Sequence, residues 1–247
     1  MENAMTLKGK VALVTGAAGN GMGRSIALTL ARDGADVIVN YNKSMDSAHQ
    51  VTKAIQNAGS TAIAVSANIT KKDDCKHLID KSIERYGKID ICIISPGGGW
   101  HPENIAKLEP NDGMDDIIAE ISPIYNILSL VLTNMAKNKW GRIIALSVNP
   151  SKPSPAISYN IAKAARTQAI LTAYEQVWSS GITMNVIAPG PVTALPDLET
   201  AQSLCSNGKE WDNRQNITPQ DIAETVSFLC SEKGRYITGC VIPFMFN

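Results

Sequence analysis

The chain has 247 residues, of which 44% are hydrophobic and 19% are charged. This length can bury a substantial core, and we predict a single domain over residues 1–247. Basic and acidic residues number 23 each, so the formal net charge is zero and bulk electrostatics argue against a nucleic-acid partner. The five cysteines are scattered without metal-ligand spacing, which predicts reduced thiols and no metal site.

Two features bear on localisation. Residues 1–10 contain no apolar run followed by a small-residue cleavage site, so the sequence gives no support for secretion. The longest apolar stretch, residues 117–135, is interrupted by Glu120, Pro123 and Asn126, which is unfavourable for a lipid span but acceptable in a buried or subunit-contacting helix. We therefore predict a cytoplasmic protein that does not associate with a membrane.

Short β-rich runs alternate with longer helical patterns along the whole chain. Most of these runs are continuous stretches of Val, Ile, Ala and Leu, as expected for strands covered by helices on both faces. The predicted strands are residues 11–15, 36–40, 61–66, 89–94, 142–147, 183–187 and 236–242.

The helices are predicted between these strands, where apolar residues recur at helical spacing. They cover residues 23–33, 45–58, 72–86, 115–137, 158–179 and 219–230. Gly34, Gly59, Gly87 and Gly181 follow four of them, where a residue that accepts positive φ ends a helix at low cost. The alternation predicts an α/β fold of about seven parallel strands with helices on both faces.

A glycine-rich segment, Thr15-Gly16-Ala17-Ala18-Gly19-Asn20-Gly21-Met22-Gly23, joins the first strand to the first helix. Glycines permit a tight turn and a close approach of the backbone to a pyrophosphate, whose negative charge is favoured by the helix N-terminus. The order of strand, loop and helix favours a dinucleotide site over the alternative, a glycine-rich turn without a ligand. The predicted fold is then a Rossmann-type doubly wound sheet.

The end of the second strand bears on the choice of nucleotide. An acidic residue here would bind an unphosphorylated ribose, but the sequence reads Asn40-Tyr41-Asn42-Lys43-Ser44. Lys43, with Asn42 and Ser44, could pair with a 2′-phosphate instead. We predict NADP, with NAD as the open alternative for the case in which Lys43 is an ordinary surface lysine.

Tyr159 and Lys163 stand four residues apart near the start of a predicted helix, so they project from the same face. Of the six tyrosines, Tyr159 alone has a lysine four residues further on. A buried ammonium beside a phenol lowers the pKa of the phenol and makes it usable for proton transfer. We predict a catalytic pair, with Ser147 at the end of the preceding strand as a third candidate.

The glycine loop, the Tyr159-x-x-x-Lys163 helix and the segment Asn185-Val186-Ile187-Ala188-Pro189-Gly190 together resemble the short-chain dehydrogenase/reductase family, from residue 7 to about residue 239. In texture the chain is most similar to the 3-oxoacyl thioester reductases and the sugar or polyol dehydrogenases of that family. The resemblance implies reversible hydride transfer between NADP(H) and a carbonyl/alcohol pair. Tyr159 would exchange the proton, and Lys163 would hold the nicotinamide ribose and tune Tyr159.

The cofactor-binding residues follow partly from the motifs above and partly from the resemblance, which places Asn68 at the adenine and residues 189–193 against the nicotinamide. The predicted set is Gly16, Asn20, Gly21, Met22, Gly23, Tyr41, Asn42, Lys43, Ser44, Asn68, Ile69, Ser95, Pro96, Gly97, Tyr159, Lys163, Pro189, Gly190, Val192 and Thr193.

The sequence departs from the family at two positions near the predicted chemistry. A helix asparagine that holds a water beside the lysine in the family aligns with Ser122, and the family's catalytic serine aligns with Val148. Ser147 is adjacent, but neighbouring strand residues face opposite ways, so only a twist of the strand end would bring Ser147 round. Ser151 and Ser154 are alternative donors.

These losses motivate an alternative function, a catalytically impaired nucleotide-binding protein that acts as a sensor or non-catalytic subunit.

Residues 195–217 show no strong periodicity and are predicted to form a substrate lid, to which Trp211 belongs. Trp100 and His101 lie near the predicted cleft, but no carboxylate that would orient His101 is identifiable.

The resemblance implies a tetramer. The apolar helix over 115–137 and the tail over 241–246 indicate a homo-oligomer, either a tetramer or a dimer.

Overall fold

A computed structural model describes residues 6–95, 100, 102–148, 155–208 and 217–244. In these ranges, seven parallel strands form one sheet in the order β3-β2-β1-β4-β5-β6-β7. The order reverses between β1 and β4, and ligands of such sheets bind at the carboxyl ends of the strands beside the reversal. The strands are β1 Val11–Val14, β2 Asp36–Tyr41, β3 Ala62–Ser66, β4 Ile91–Ile94, β5 Gly141–Leu146, β6 Ile182–Ala188 and β7 Val241–Pro243.

Helices connect the strands and cover both faces of the sheet. They are α1 Met22–Arg32, α2 Met45–Asn57, α3 Lys72–Tyr86, α4 Pro110–Asn138, α5 Ile157–Val177, α6 Leu198–Asn207 and α7 Pro219–Cys230. The sequence-based prediction of a doubly wound α/β sheet is confirmed.

Two hydrophobic cores lie on opposite faces of the sheet. The first contains Val14 together with side chains of α1, α2, α6 and α7. The second contains Leu13 with side chains of α3, α4 and α5. Consecutive residues of β1 thus enter different cores, because side chains alternate across a strand, and this explains why the strands are apolar throughout.

The boundaries differ from the prediction in a few places. The last strand begins at Val241 instead of residue 236, and α4 begins at Pro110 instead of residue 115. Residues 195–217 include α6, whose first turn is capped by the side chain of Asp197 accepting from the Thr200 amide at 2.7 Å. An aspartate at the N-cap is a local sequence signal for the start of a helix. The sequence analysis did not predict α6, because the apolar periodicity of this helix is weak.

Part of α4, Gly113–Asn138, is long and apolar enough by length and composition to cross a membrane. In the fold, however, α4 packs against α3, α5 and the sheet. It also carries Glu120, whose carboxylate is buried against two cationic side chains. These contacts cover one face of α4 and leave its other face exposed.

Candidate active site

The glycine loop leaves β1 by a turn that requires glycine at two points. Gly16 has a φ of +64°, in the left-handed region that favours glycine. A Cβ on Gly23 would lie 2.6 Å from the carbonyl oxygen of Gly16, so any side chain there would push α1 away from the end of β1. The two residues bring the N-terminus of α1 directly against the sheet.

The N-terminus of α1 is arranged to receive an anion. Gly21 is the N-cap residue and makes no side-chain capping bond, and the first turn contains no acidic residue. Backbone N–H groups in this position bind phosphate, with help from the helix dipole. Gly21 and Met22, both predicted to bind the cofactor, provide this backbone.

Neighbouring residues hold the loop in place. Arg24 Nε donates to the Gly19 carbonyl at 2.9 Å and its Nη2 donates to the side chain of Asn20. The Asn20 carbonyl accepts from the Leu195 amide at 3.2 Å. The glycine loop is therefore joined to Leu195, the first residue of the predicted substrate lid.

A cavity of about 160 Å³ opens beside the loop at the carboxyl edge of the sheet. Four of the predicted cofactor residues line it, Gly16, Asn42, Asn68 and Ile69, together with Asn40, Ala67, Thr70, Ala119 and Pro123. The position of the cavity at the reversal of strand order and its mix of polar and apolar walls fit the adenosine part of a dinucleotide.

Asn40 is a functional residue that the sequence analysis did not select. Its Oδ1 accepts from the Gly16 amide at 3.3 Å, and its Nδ2 donates to the carbonyls of Val65 and Ala67 at 3.3 and 3.1 Å. This buried side chain ties β1, β2 and β3 together beneath the cavity. An amide-bearing residue at the end of an otherwise apolar strand was the available signal.

The end of β2 divides the predicted nucleotide residues into two groups. Tyr41 is buried in the core and Asn42, Lys43 and Ser44 are exposed beside the cavity. Ser44 precedes α2 without making a side-chain capping bond, which leaves its hydroxyl available to a ligand. Lys43 and Ser44 are therefore accessible to a 2′-phosphate, whereas Tyr41 contributes mainly to packing.

Asn68 shapes the turn after β3. Its Oδ1 accepts from the backbone N–H and the hydroxyl of Thr70 at 3.1 and 2.8 Å. Its backbone N–H donates to Asp74 Oδ2 at 2.9 Å. The opposite wall of the cavity comes from Ala119 and Pro123 of α4. Because Pro123 has no N–H, the Ala119 carbonyl lacks the usual helical donor.

The predicted nicotinamide segment follows β6. Pro189 is buried, Gly190 and Val192 are half-buried and Thr193 is exposed. The Thr193 amide donates to the Ile217 carbonyl at 3.3 Å. After β4, the Ser95 amide donates to Thr15 Oγ1 at 3.0 Å, while Pro96 and Gly97 lie outside the described residues.

Tyr159 and Lys163 lie on the first turns of α5, as predicted. Lys163 Nζ is 5.2 Å from the centroid of the Tyr159 ring. Tyr159 is half-buried, whereas Lys163 is only 5% exposed. The amide of Ser158 donates to Glu103 Oε2 at 2.7 Å, and this contact holds the N-terminus of α5 to the loop before α4.

The pKa values correct one expectation. Burial, with a smaller contribution from the Glu120 charge, raises the pKa of Tyr159 above its ordinary value, where the sequence analysis expected Lys163 to lower it. The Lys163 ammonium itself contacts the carboxylate of Glu120 at 3.1 Å. Burial and the Arg166 charge lower the pKa of Lys163 to about 8.

Ser147 is not turned towards the cleft. Its Oγ donates to the Lys163 carbonyl at 2.9 Å and lies 2.7 Å from Thr167 Oγ1. The hydroxyl therefore fastens β5 to α5, and the twist that would bring Ser147 beside Tyr159 does not occur. Ser151 and Ser154, the alternative donors, lie outside the described residues.

The alignment of Ser122 with the helix asparagine of the family is also corrected. Ser122 is not buried beside the lysine, and its Oγ donates to the Ile118 carbonyl at 2.6 Å. The residue of α4 that lies beside Lys163 is Glu120. Glu120 is the single carboxylate of the apolar stretch 117–135, but the sequence did not show that this face of the helix would meet Lys163.

Trp100, which the sequence places near the cleft, is 54% exposed. His101 and Trp211 lie outside the described residues.

The comparisons with known proteins agree with this geometry. Residues 16–244 match the family described as "Enoyl-(Acyl carrier protein) reductase". The chain is 34% identical over 241 residues to 3-oxoacyl-[acyl-carrier-protein] reductase FabG of Staphylococcus epidermidis, covering 94% of this chain and 96% of the relative. The chain belongs to the short-chain dehydrogenase/reductase family.

Other similar proteins share this family. The chain is 30% identical to 7alpha-hydroxysteroid dehydrogenase of Escherichia coli, covering 96% of this chain and 93% of the relative. A 7 alpha-hydroxysteroid dehydrogenase solved with NADH and 7-oxo glycochenodeoxycholic acid superimposes with a TM-score of 0.84 at 27% identity, covering 99% and 96% of the two chains. A short chain dehydrogenase from Burkholderia cenocepacia solved with NADP gives 0.82 at 26% identity, covering 97% of each.

The prediction of a nicotinamide-dependent oxidoreductase acting on a CH-OH/C=O group is confirmed. The alternative of an impaired nucleotide-binding protein is not favoured.

Proposed function

We propose that this protein interconverts a carbonyl and a secondary alcohol with NADP(H), using Tyr159 to exchange the proton. The observation that carries the proposal is the pairing of Tyr159 with Lys163 at 5.2 Å on the first turns of α5. Ala119 of α4 lines the nucleotide cavity and precedes Glu120, which contacts Lys163. This proximity on α4 supports a position of the proton-transfer pair near the cavity.

Each group has a separate task in this reaction. A bound nicotinamide supplies or accepts the hydride. The Tyr159 phenol donates its proton to the carbonyl oxygen as that oxygen gains charge, and the phenolate takes the proton back in the reverse direction. The Lys163 ammonium, 5.2 Å from the centre of the Tyr159 ring, would hold the ribose hydroxyls. Because the pKa of Tyr159 is raised, the phenol stays protonated at neutral pH, which favours reduction.

The donor set and the cavity fit a dinucleotide. The uncapped start of α1 takes the pyrophosphate, and the cavity floored by Asn40 takes the adenosine. Lys43 and Ser44 supply a cation and a hydroxyl where an unphosphorylated ribose would require an acid. We infer that NADP(H) is the preferred cofactor.

Substitution of Lys43 tests this preference. Lys43→Ala should raise the Kd for NADPH roughly tenfold, because it removes a charge-assisted contact to the 2′-phosphate. The Kd for NADH should stay unchanged. Fluorescence titration measures both, and Lys53→Ala, at an exposed lysine of α2, is the control. An equal loss of affinity for NADPH and NADH would contradict the assignment.

The substrate class follows from the relatives and is a proposal for this chain. The FabG relative is named for a 3-oxoacyl thioester and the Escherichia coli relative for a hydroxysteroid. The higher identity favours a 3-oxoacyl thioester. The described parts of the predicted lid, residues 195–208 and 217, are proposed to contact this substrate, and residues 209–216 lie outside the described residues.

We also infer a homo-oligomer built on the outer faces of α4 and α5. Met114, Ile118 and Tyr125 of α4 and Ile161 of α5 are each more than half exposed. The three α4 residues recur at helical spacing and form one apolar stripe, and such a stripe fits a second copy of the same surface.

A paired substitution tests this surface. Ile118→Glu with Tyr125→Glu should reduce the sedimenting mass to that of one chain, because four like charges would meet across a two-fold interface. Met45→Glu, at an equally exposed apolar residue on α2, should leave the mass unchanged. A single-chain mass for the unsubstituted protein would refute the oligomer.

The experiment that best tests the proposed function combines binding and turnover. NADPH and NADH would be titrated by fluorescence, and the same preparation would be assayed with ketones, quinones and 3-oxoacyl thioesters. We expect tighter NADPH binding and turnover of at least one carbonyl class. Tight binding without oxidation of NADPH by any of them would refute the catalytic role. We also infer a cytoplasmic location, because all five cysteines are free thiols, as is usual in a reducing compartment.

A further inference from the structure

Three charged side chains meet in the interior behind Tyr159. The Glu120 carboxylate lies 3.1 Å from Lys163 Nζ and 2.7 Å from Arg166 Nη2. The side chains of Glu120, Lys163 and Arg166 are 1%, 7% and 0% exposed. Buried charges are costly unless they are paired, so a cluster of this kind calls for a physical explanation.

Arg166 is held by both neighbouring elements. Its Nη2 and Nε donate to the Glu120 carbonyl oxygen at 2.7 and 3.2 Å, and its Nη1 donates to the Leu146 carbonyl at 3.1 Å. Pro123, three residues after Glu120, interrupts the hydrogen-bond ladder of α4. A proline there loosens the helix near Glu120, and the rigid guanidinium fixes both the backbone and the carboxylate of that residue.

We propose that Glu120, fixed by Arg166, is a positioning residue that holds the Lys163 ammonium charged and in place behind Tyr159. The proposal rests on the proposed function in assigning the proton transfer to Tyr159. It adds a direct ion pair between α4 and Lys163 to that machinery. Glu120 and Arg166 act through Lys163 and Tyr159 and need not touch the substrate.

The signs of the charges make the two residues act in opposite directions. The Glu120 charge raises the pKa values of both Lys163 and Tyr159, and the Arg166 charge lowers both. In the described part of the chain, Glu120 of α4 and Arg166 of α5 are the charged groups that shift the pKa values of both Tyr159 and Lys163. Ser147, which follows β5 and contacts α5, is uncharged. Both Lys163 and Tyr159 must be protonated for reduction, so the rate falls as the pH rises through either pKa.

Three substitutions follow from these signs. The alkaline limb is the pH range in which kcat/KM for reduction falls as the pH rises. Glu120→Gln should move this limb to lower pH by about one unit, because a charge within a few ångströms shifts a pKa by about that amount. Arg166→Met should move the limb to higher pH by a similar amount. The double variant should return the limb to within about half a unit of the unsubstituted protein, since both effects are removed together.

A conservative variant separates charge from packing. Arg166→Lys keeps the positive charge but loses the rigid fork, so it should leave the limb in place even if kcat falls. If Glu120→Gln does not fold because two cations remain unpaired, Arg166→Met and the double variant still carry the test. Movement of the limb in Arg166→Lys equal to that in Arg166→Met would overturn the electrostatic role.

A readout independent of turnover distinguishes this proposal from the proposed function. Phenolate absorbance of each variant is titrated with pH, and the titration of the same variant carrying Tyr159→Phe is subtracted to isolate Tyr159. The isolated titration should shift down for Glu120→Gln and up for Arg166→Met. If Tyr159 titrates identically in all variants, the positioning role is wrong even in an active enzyme. If it shifts while no carbonyl is reduced, the positioning role stands and the proposed function fails.

Discussion

Tyr159→Phe should abolish turnover while leaving NADPH binding nearly intact. The substitution removes one oxygen from a half-buried side chain and keeps the ring that lies over Lys163 Nζ. A positioned general acid contributes roughly 10²- to 10⁴-fold to a rate, so kcat should fall by about that factor. The Kd for NADPH should be almost unchanged, because the adenosine cavity and the start of α1 are made by other residues.

A second tyrosine on the same helix is a matched control. Tyr174 contacts Glu175 through its hydroxyl at 3.0 Å near the far end of α5. Tyr174→Phe should retain full kcat, since this hydroxyl lies away from the cavity. Single-turnover measurements with NADPH and the best substrate of the panel would compare the two variants. Turnover by Tyr159→Phe close to that of the unsubstituted protein would contradict the assigned proton transfer.

Gly23→Ala should damage both stability and cofactor binding. The added Cβ would lie 2.6 Å from the Gly16 carbonyl oxygen and 3.3 Å from the Ala17 Cα. Both contacts are to backbone, so α1 must move away from β1. We expect the free energy of unfolding to fall by about 1–3 kcal/mol, as in other overpacked sites. The Kd for NADPH should rise at least tenfold, because the displaced N-terminus no longer presents its N–H groups to the pyrophosphate.

Another glycine in the same loop shows whether the effect is local. A Cβ on Gly19 would meet no atom within 4 Å. Gly19→Ala should therefore change the free energy of unfolding by less than about 0.5 kcal/mol. Chemical denaturation measures the stability of both variants, and fluorescence titration measures the affinity of Gly23→Ala. Equal destabilisation by the two substitutions would show that the packing of α1 on Gly16 is not the cause.

Much of the fold could be predicted because its signals are local. The bounds of α3 and α7 agree with the prediction residue for residue, since each has clear apolar periodicity and a recognisable end. Gly34, Gly59, Gly87 and Gly181 all have positive φ, as their positions after helices indicated. The final strand was predicted to begin too early. The conformation of residues 236–240 depends on contacts with β6 that the sequence does not show; for example, the Gly239 N–H donates to the Met184 carbonyl at 2.8 Å.

The candidate site was predicted in part for the same reason. Tyr159, Lys163 and the glycine loop lie within short segments whose spacing carries the chemistry. Asn40 and Glu120 were not selected, because each acts through partners distant in the chain, such as Val65 and Lys163. Ser147 was selected on sequence proximity, but the packing of α5 on β5 takes its hydroxyl.

The pairing of Tyr159 with Lys163 on one helical face, with which the prediction of catalysis began, follows from the order of the amino acids, because residues four apart on a helix necessarily lie together. The charges that surround this pair depend on how the helices pack. α4 crosses α5 so that Glu120 meets Lys163 and Arg166 in a buried site. Burial of the phenol, with a smaller contribution from the Glu120 charge, raises the pKa of Tyr159, where its sequence neighbour alone predicted a decrease. Burial and the distances between charges are set by the fold, not by separation along the chain.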